Sequence, residues 1–448
     1  MNRRAAVALL AAALALQGAI AALGFPLSGR ALAGDEAMYV ALARDWAAGR
    51  PAAIDPLWPP GYPALLAAWL AAGGGLPAFL ALQILAHLAA GALLARLAWR
   101  VTESRWVAGL AAALFLLDPQ IAAFAQTYWP ETLHLLLVLL LLLAAVEGVA
   151  RERGAVAFGA ATGAALLLKS LLTPFVPLLA WAAFRAAPEE RRLRCWALAR
   201  GTLLALVALA LVVLPVLLSN HRRHGFWGIA DSTRFNVVLG LTDRSPRSLR
   251  DDRAHAVALE YHASGATFAE RQAALARRLR DEVASRGIPA ILADRLPRQY
   301  FRLFDRESYF AAMLPGSGAL AAVGQGFRDP PRPLAAALAV LGYVLHAVVL
   351  AAAPLGLVLL SGWRPRRFWP LLAFLSYQLA IFVLLHVKAR YRLPMLPVLD
   401  LAAATAIVGL VEKLRRERDD PWPAGAWLGG LVGGVSLLLL GFGADRFG

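Results

Sequence analysis

Residues 131–149 read ETLHLLLVLLLLLAAVEGV, an apolar run close to the roughly 20 residues that a helix needs to cross the hydrocarbon of a bilayer. Pro130 precedes the run and Glu131 opens it. Proline is thereby placed where a missing N–H does no harm, and an acid stands at the positive end of the helix dipole. Similar runs occur approximately at 5–23, 77–99, 106–117, 155–168, 171–184, 201–218, 334–360, 368–386, 393–411 and 427–442. The expected fold is an all-α polytopic membrane protein with about eleven transmembrane helices. Composition agrees, with 60% hydrophobic residues over 448 positions and a mean hydropathy of +0.60.

The ends of these runs set the expected topology. Arg3 and Arg4 before the first run, with Ala31-Leu32-Ala33 after it, look like a secretory signal and its cleavage site. The run is longer than a signal core, however, and Phe25, Pro26 and Arg30 intervene, so a retained first span is expected. The net charge of +16 comes almost wholly from arginine, since Lys169, Lys388 and Lys413 are the only lysines. A basic nucleic-acid binder would also be this cationic, but many of the arginines sit in short loops between apolar runs, where they orient a membrane protein. With a cytoplasmic N-terminus, each inside loop is basic: Arg96, Arg100 and Arg105; Arg151 and Arg153; Arg191, Arg192, Arg194 and Arg200; Arg364, Arg366 and Arg367; Lys413, Arg415, Arg416 and Arg418. Cys195, the single cysteine, falls in the third of these loops and excludes an intramolecular disulfide framework. No nucleic-acid partner is expected; membrane lipids are.

The loops left outside carry the chemistry-bearing side chains. Gly34-Asp35-Glu36-Ala37-Met38-Tyr39 sets two adjacent carboxylates at the start of a surface helix, after which Pro51 and Trp58-Pro59-Pro60-Gly61-Tyr62-Pro63 break the chain. A plainer account has Asp35 capping that helix and Glu36 complementing its dipole. Lys169 sits between two apolar runs, as a ligand for an anion or as a cation reaching the interface from a helix end. Arg390 and Arg392, in Lys388-Ala389-Arg390-Tyr391-Arg392-Leu393-Pro394, would meet either a bound anion or anionic headgroups. Ionisable groups near membrane depth are kept mainly when paired or functional, so acids and cations together on one face point to a site for an anionic, membrane-embedded substrate.

Residues 219–332 form a long polar outer segment in which Thr267-Phe268-Ala269-Glu270 is a capping box, starting a helix that runs to about Arg286 before Gly287 and Pro289. The chain thus divides into an N-terminal transmembrane core over 1–218 with its first outer loop, a partly helical outer loop over 219–332, and C-terminal transmembrane helices over 333–448. His221 and His224 enter the outer segment, but no further Cys, His or clustered acid completes a metal set, and no metal or cofactor is expected. Gly425, Gly429 and Gly433 are expected to let the last span pack closely.

Taken in order, Gly34 to Tyr39, Pro59 to Pro63, Tyr128-Trp129-Pro130-Glu131, the run Gly163 to Lys169, Asn220 through Gly240 and Arg390-Tyr391-Arg392-Leu393-Pro394 resemble the bacterial relatives of dolichyl-phosphate-mannose protein mannosyltransferases, within the C-type superfamily of polytopic glycosyltransferases. That resemblance implies transfer of a sugar from a polyprenyl-phosphate carrier to an envelope glycan, lipid or protein at the outer face of the plasma (inner) membrane. It implies Asp35 as the catalytic base with Glu36 beside it, an inverting displacement, and substrate contacts from Glu131, Lys169, Arg390, Arg392, Tyr39 and Tyr62. A carboxylate suits removal of the acceptor's hydroxyl proton, and cations suit the charge gathering on the departing lipid phosphate. Unlike the better-known relatives, the sequence carries no large soluble domain after the last spans, which leaves the acceptor open. The competing reading is a transporter or flippase of a lipid-linked anion, but the internal repeats expected of one are not evident.

Overall fold

The elements described by the computed structural model, which covers residues 3–22, 32, 35–50, 54–147, 152–177, 195–242, 252–306, 332–363, 365–415 and 424–443, are all helical. In chain order they are α1 (Arg3–Ala22), α2 (Asp35–Ala47), α3 (Gly61–Ala71), α4 (Leu76–Thr102), α5 (Arg105–Leu116), the single turn α6 (Pro119–Ala122), α7 (Glu131–Glu147), α8 (Glu152–Leu168) and α9 (Cys195–His224). Then come α10 (Thr233–Thr242), α11 (Asp252–Ala263), α12 (Phe268–Arg286), α13 (Ile288–Arg298), α14 (Arg332–Trp363), α15 (Pro365–Ile381), α16 (Leu396–Leu414) and α17 (Ala424–Gly443). Short 3-10 segments at Ser170–Phe175 and Ala389–Met395 lead out of α8 and into α16.

Six helices among the described residues are long and apolar enough to cross a membrane: α1, α4, most of α9, most of α14, α16 with the turn before it, and most of α17. A seventh is supplied if α5 and Pro119–Gln126, bent by 56°, count as one broken span. The bend has a local cause, since Asp118 caps the new turn by accepting from the Gln120 N–H and Pro119 occupies its first position. The sequence expectation was about eleven. The difference lies in α7, α8 and α15, each of 17 residues, about 26 Å at 1.5 Å per residue and short of a hydrocarbon core of roughly 30 Å. The expected span at 171–184 lies largely outside the described residues, as does most of the candidate cleavage site at 31–33.

The centre of the bundle is α16. Of its most apolar window, 78% is buried inside the protein, against 44% or less for the other candidate spans. It packs on α5 and α14, while α4 and α7 pair beside it and α8 pairs with α9. The last span meets α14 through glycine, though in a register shifted from the expected one. Gly425 and Gly429 face open space, whereas Gly430, Gly433 and Gly434 lie against Leu355, Pro354 and Ala351. A Cβ at Gly434 would stand 2.4 Å from the Ala351 carbonyl oxygen, so this crossing tolerates only glycine. Of the expected series Gly433 makes the crossing; one residue of register turns a helix by about 100°, and Gly430 and Gly434 extend the contact along the neighbouring line.

Charges sort to the two ends of the bundle. At one end Arg96 and Arg100 pair with Glu147, both at 2.8 Å, and Arg367 pairs with Glu103 at 2.7 Å. At the other end stand the starts of α2 and α7, the end of α8 and the turn before α16. The long polar segment folds over that second end as α10–α13. Its capping box is formed as expected, with the Glu270 N–H donating to Thr267 and the Glu270 carboxylate accepting from the Thr267 N–H. His221, by contrast, stacks on Trp227 at 4.2 Å.

A small core of Leu57, Phe235, Val238, Leu239, Val257, Tyr261 and Leu275 locks the loop before α3 to this segment. Asp55 accepts from the Arg271 guanidinium at 2.9 Å and the Tyr261 hydroxyl at 3.1 Å, with Asp55 and Arg271 each only 13% exposed. Burial pushes the Tyr261 phenol up to about 12, so it remains a donor to that carboxylate. Removing the cation leaves a mostly buried carboxylate unmatched, at about 3 kcal/mol. Arg271→Ala is therefore expected to make residues 252–306 several-fold more sensitive to limited chymotrypsin digestion while the spans stay intact. Unchanged digestion would detach this pair from the docking of the segment.

Candidate functional site

An open cleft lies at the end of the bundle where α2, α7, α8 and α15 converge. Local structure dictates what each contributes. Asp35 is the first residue of α2, and Glu131 is the first residue of α7 after Pro130. Lys169 follows the last turn of α8 in extended backbone (φ −147°, ψ 108°), which turns its side chain across toward α7. Arg390 rides on the 3-10 turn before α16.

These four residues form two ion pairs that face the same space. Lys169 Nζ donates to Glu131 Oε1 at 2.9 Å, with side-chain exposures of 20% and 4%. Arg390 Nη2 donates to Asp35 Oδ2 at 3.1 Å, with exposures of 13% and 49%. The Arg390 guanidinium also lies over the Trp129 ring at 5.1 Å. Asp35 is thus the open, solvent-reaching member of the four. Glu131 keeps its second oxygen, Oε2, buried and without a hydrogen-bond partner among the described residues. Burial, with Asp35 and Glu131 adding to it, raises the Tyr39 phenol well above its ordinary range, so Tyr39 enters the cleft as a neutral donor.

The remaining expected site residues lie outside this space. Glu36 is buried and accepts from the Tyr128 N–H at 2.9 Å, pinning α2 to the loop that ends at Glu131. Tyr62 is buried too; its hydroxyl donates to Gln83, whose amide donates on to Thr127 O at 2.7 Å, and its ring meets Tyr39 edge-on at 5.4 Å. Gly61 beside it fits because a Cβ there would stand 2.5 Å from the Leu167 carbonyl oxygen, so α3 presses on the end of α8 just ahead of Lys169. Arg392 points the other way from Arg390, donating to Gln120 Oε1 at 2.7 Å and to the Asp305 carbonyl. Two residues apart on a 3-10 turn means a rotation of about 240°, so the two arginines cannot share a face.

Several lining residues were not singled out from the sequence. Trp58 and Pro59 come from the loop before α3, and Ser232 and Asn236 come from the start of α10. The wall toward the bundle is Leu168, Leu171, Leu172, Phe382 and Leu385, with His134 and Gln378 set into it. The polar segment of α10–α13 is tied to this wall: the His386 N–H donates to Asn236 O at 3.0 Å, and Arg295 donates to the carbonyls of Leu384 and Leu385. A polar residue inside an apolar run was the available signal for His134 and Gln378. Among the described residues no group of three His, Cys, Asp or Glu is placed to hold a metal ion.

No protein-family model and no curated protein matches the chain. Solved structures do match in fold. The apo oligosaccharyltransferase of Archaeoglobus fulgidus superposes with a TM-score of 0.50 at 16% identity, over 98% of this chain and 56% of that one. The same archaeon's oligosaccharyltransferase AglB, in complex with an inhibitory peptide and a dolichol-phosphate, gives 0.48 at 14% identity, over 98% and 55%. ArnT from Cupriavidus metallidurans bound to undecaprenyl phosphate gives 0.41 at 16%, over 91% and 79%. The chain spans little more than half the length of the oligosaccharyltransferases it matches, and what it shares with the apo enzyme is the fold of a polytopic membrane protein.

Proposed function

We propose that this protein is a membrane glycosyltransferase that moves a sugar from a polyprenyl-phosphate carrier to an acceptor hydroxyl at the extracytoplasmic face of the plasma membrane. The observation that carries this reading is the double ion pair. Two carboxylates, each matched to a cation, face one cleft whose other wall is apolar and continuous with the bundle. A lipid phosphate is the ligand that would use all three features, with its chain along the leucines and its charge on Lys169 and Arg390. The fold shared with the archaeal oligosaccharyltransferase and the ordered sequence resemblance support the same class.

In the proposed reaction, Asp35 accepts the proton of the acceptor hydroxyl as its oxygen attacks the anomeric carbon. The carbon–oxygen bond to phosphate breaks on the opposite face, and the electron pair leaves with the polyprenyl phosphate. One displacement inverts the anomeric centre, and no general acid is required for a phosphate leaving group. Arg390 must exchange Asp35 for the phosphate before this happens, so carrier binding itself unmasks the base. Tyr39 and Glu131 Oε2 are free to meet substrate hydroxyls, while Glu36, Tyr62 and Arg392 support the frame.

The direct test is mass spectrometry of envelope glycans, lipids and proteins and of polyprenyl-phosphate sugars from cells with and without the gene. One glycosylated carrier should accumulate as one sugar disappears from an envelope product. Identical profiles in the two strains would sink the proposal.

A further inference from the structure

His134 and Gln378 are polar residues that the reaction above does not use. Gln378 is fully buried near the end of α15, and neither its amide nitrogen nor its amide oxygen has a hydrogen-bond partner among the described residues. His134, one turn after Glu131 on the same face of α7, is 2% exposed, and its Nε2 is equally without a partner. Both side chains line the cleft, as does Glu131 with its own unmatched Oε2. Buried polar atoms are nearly always satisfied, and an unmatched amide among leucines is destabilising. Gln378 is nevertheless held firmly in place. The neighbouring Tyr377 hydroxyl donates to Leu171 O at 2.5 Å, and the Tyr377 ring packs on Phe175 at 4.9 Å, clamping the end of α15 to the turn that follows Lys169.

We infer that His134 and Gln378, with Glu131 Oε2, form the subsite for the sugar ring of the lipid-linked donor, and that this ring is recognised through its hydroxyls rather than through an anionic group. This rests on the glycosyltransferase reading of the same cleft. The chemistry favours hydroxyls because an amide offers a donor and an acceptor side by side, which matches adjacent hydroxyls that each donate and accept. An anionic sugar would instead need a further cation, and the two in the cleft, Lys169 and Arg390, are the ones the phosphate takes. Position agrees as well. The anomeric carbon is bonded directly to the phosphate oxygen, so the ring must lie within one ring's width of the phosphate. Lys169, Glu131, His134, Leu171, Leu172 and Gln378 all line the one cleft, and the Tyr377–Leu171 bond sets the end of α15 against the turn that follows Lys169.

The test compares binding of farnesyl phosphate with binding of farnesyl phosphates carrying mannose, glucose, galactose or arabinose, in the full-length protein. At least one glycosylated form should bind the wild type more tightly than the bare phosphate. Gln378→Leu should reduce that preference about tenfold, leave bare-phosphate affinity unchanged, and leave the thermal midpoint equal or higher, because an unmatched amide has been removed. His134→Phe should act in the same direction. Gln378→Asn, which keeps the amide but withdraws it by one methylene, covers the case in which the leucine variant fails to fold, and should lose most of the preference. A preference that survives these substitutions, or a wild type that binds no glycosylated form better than bare phosphate, overturns the subsite while leaving the carrier reading intact. Bare phosphate that fails to bind at all overturns the carrier reading, and the subsite with it.

Discussion

Asp35→Asn is expected to lower sugar transfer by about 10²- to 10⁴-fold, the range that general-base assistance supplies, while binding of the carrier phosphate is retained or strengthened. The second half of that result is the more telling one. In the resting protein Arg390 is held by Asp35 at 3.1 Å, so an incoming phosphate competes with a carboxylate for the same guanidinium. Asparagine keeps the shape and caps a helix about as well, but it removes the competitor. Titration with undecaprenyl phosphate against turnover separates the two effects. Glu36→Gln is the control. Its carbonyl oxygen still accepts from the Tyr128 N–H, so turnover should stay near wild type. Wild-type turnover in Asp35→Asn with a dead Glu36→Gln would move the base to Glu36; full activity in both would move it toward Glu131.

Lys169→Met is expected to do two things at once, and they can be separated. Glu131, 4% exposed, loses its cation, which destabilises the fold by about 3 kcal/mol because the remaining charge is buried and unmatched. Carrier-phosphate affinity should also fall about tenfold or more, the worth of one charge-assisted contact. In the double variant Lys169→Met/Glu131→Gln the buried charge is gone, so thermal stability should recover while phosphate affinity stays low. Affinity that recovers together with stability would show that Lys169 serves only to neutralise Glu131.

The parts of this site that were legible in the sequence are those where charge marks the end of an apolar run. Asp35, Glu131, Lys169 and Arg390 stood out because each is ionisable at a boundary, and the structure sets all four around one cleft. Rotation was not legible. Glu36 and Asp35 are adjacent, yet about 100° on a helix sends one carboxylate into the protein and leaves the other at the surface. The same holds for Arg390 against Arg392, and for the phase of the glycines in α17. His134 and Gln378 were invisible for a different reason, since a single polar residue in an apolar run reads equally as packing until its partners are known. The capping box of α12 was legible because both members of that interaction lie within four residues. The span count of about eleven goes beyond the six or seven long apolar helices among the described residues, where α7, α8 and α15 each show 17 residues.

The pair between Asp35 and Arg390 joins residues 355 apart in the chain. At ribosomal speeds of roughly 5 to 20 residues per second, Asp35 emerges about 20 to 70 seconds before its partner. Through that interval the nascent protein already holds a carboxylate at the membrane surface and, somewhat later, the matched Lys169 and Glu131, but no second cation. Under the proposed mechanism, a newly made chain could not set both cations on a lipid phosphate until the turn before α16 is in place.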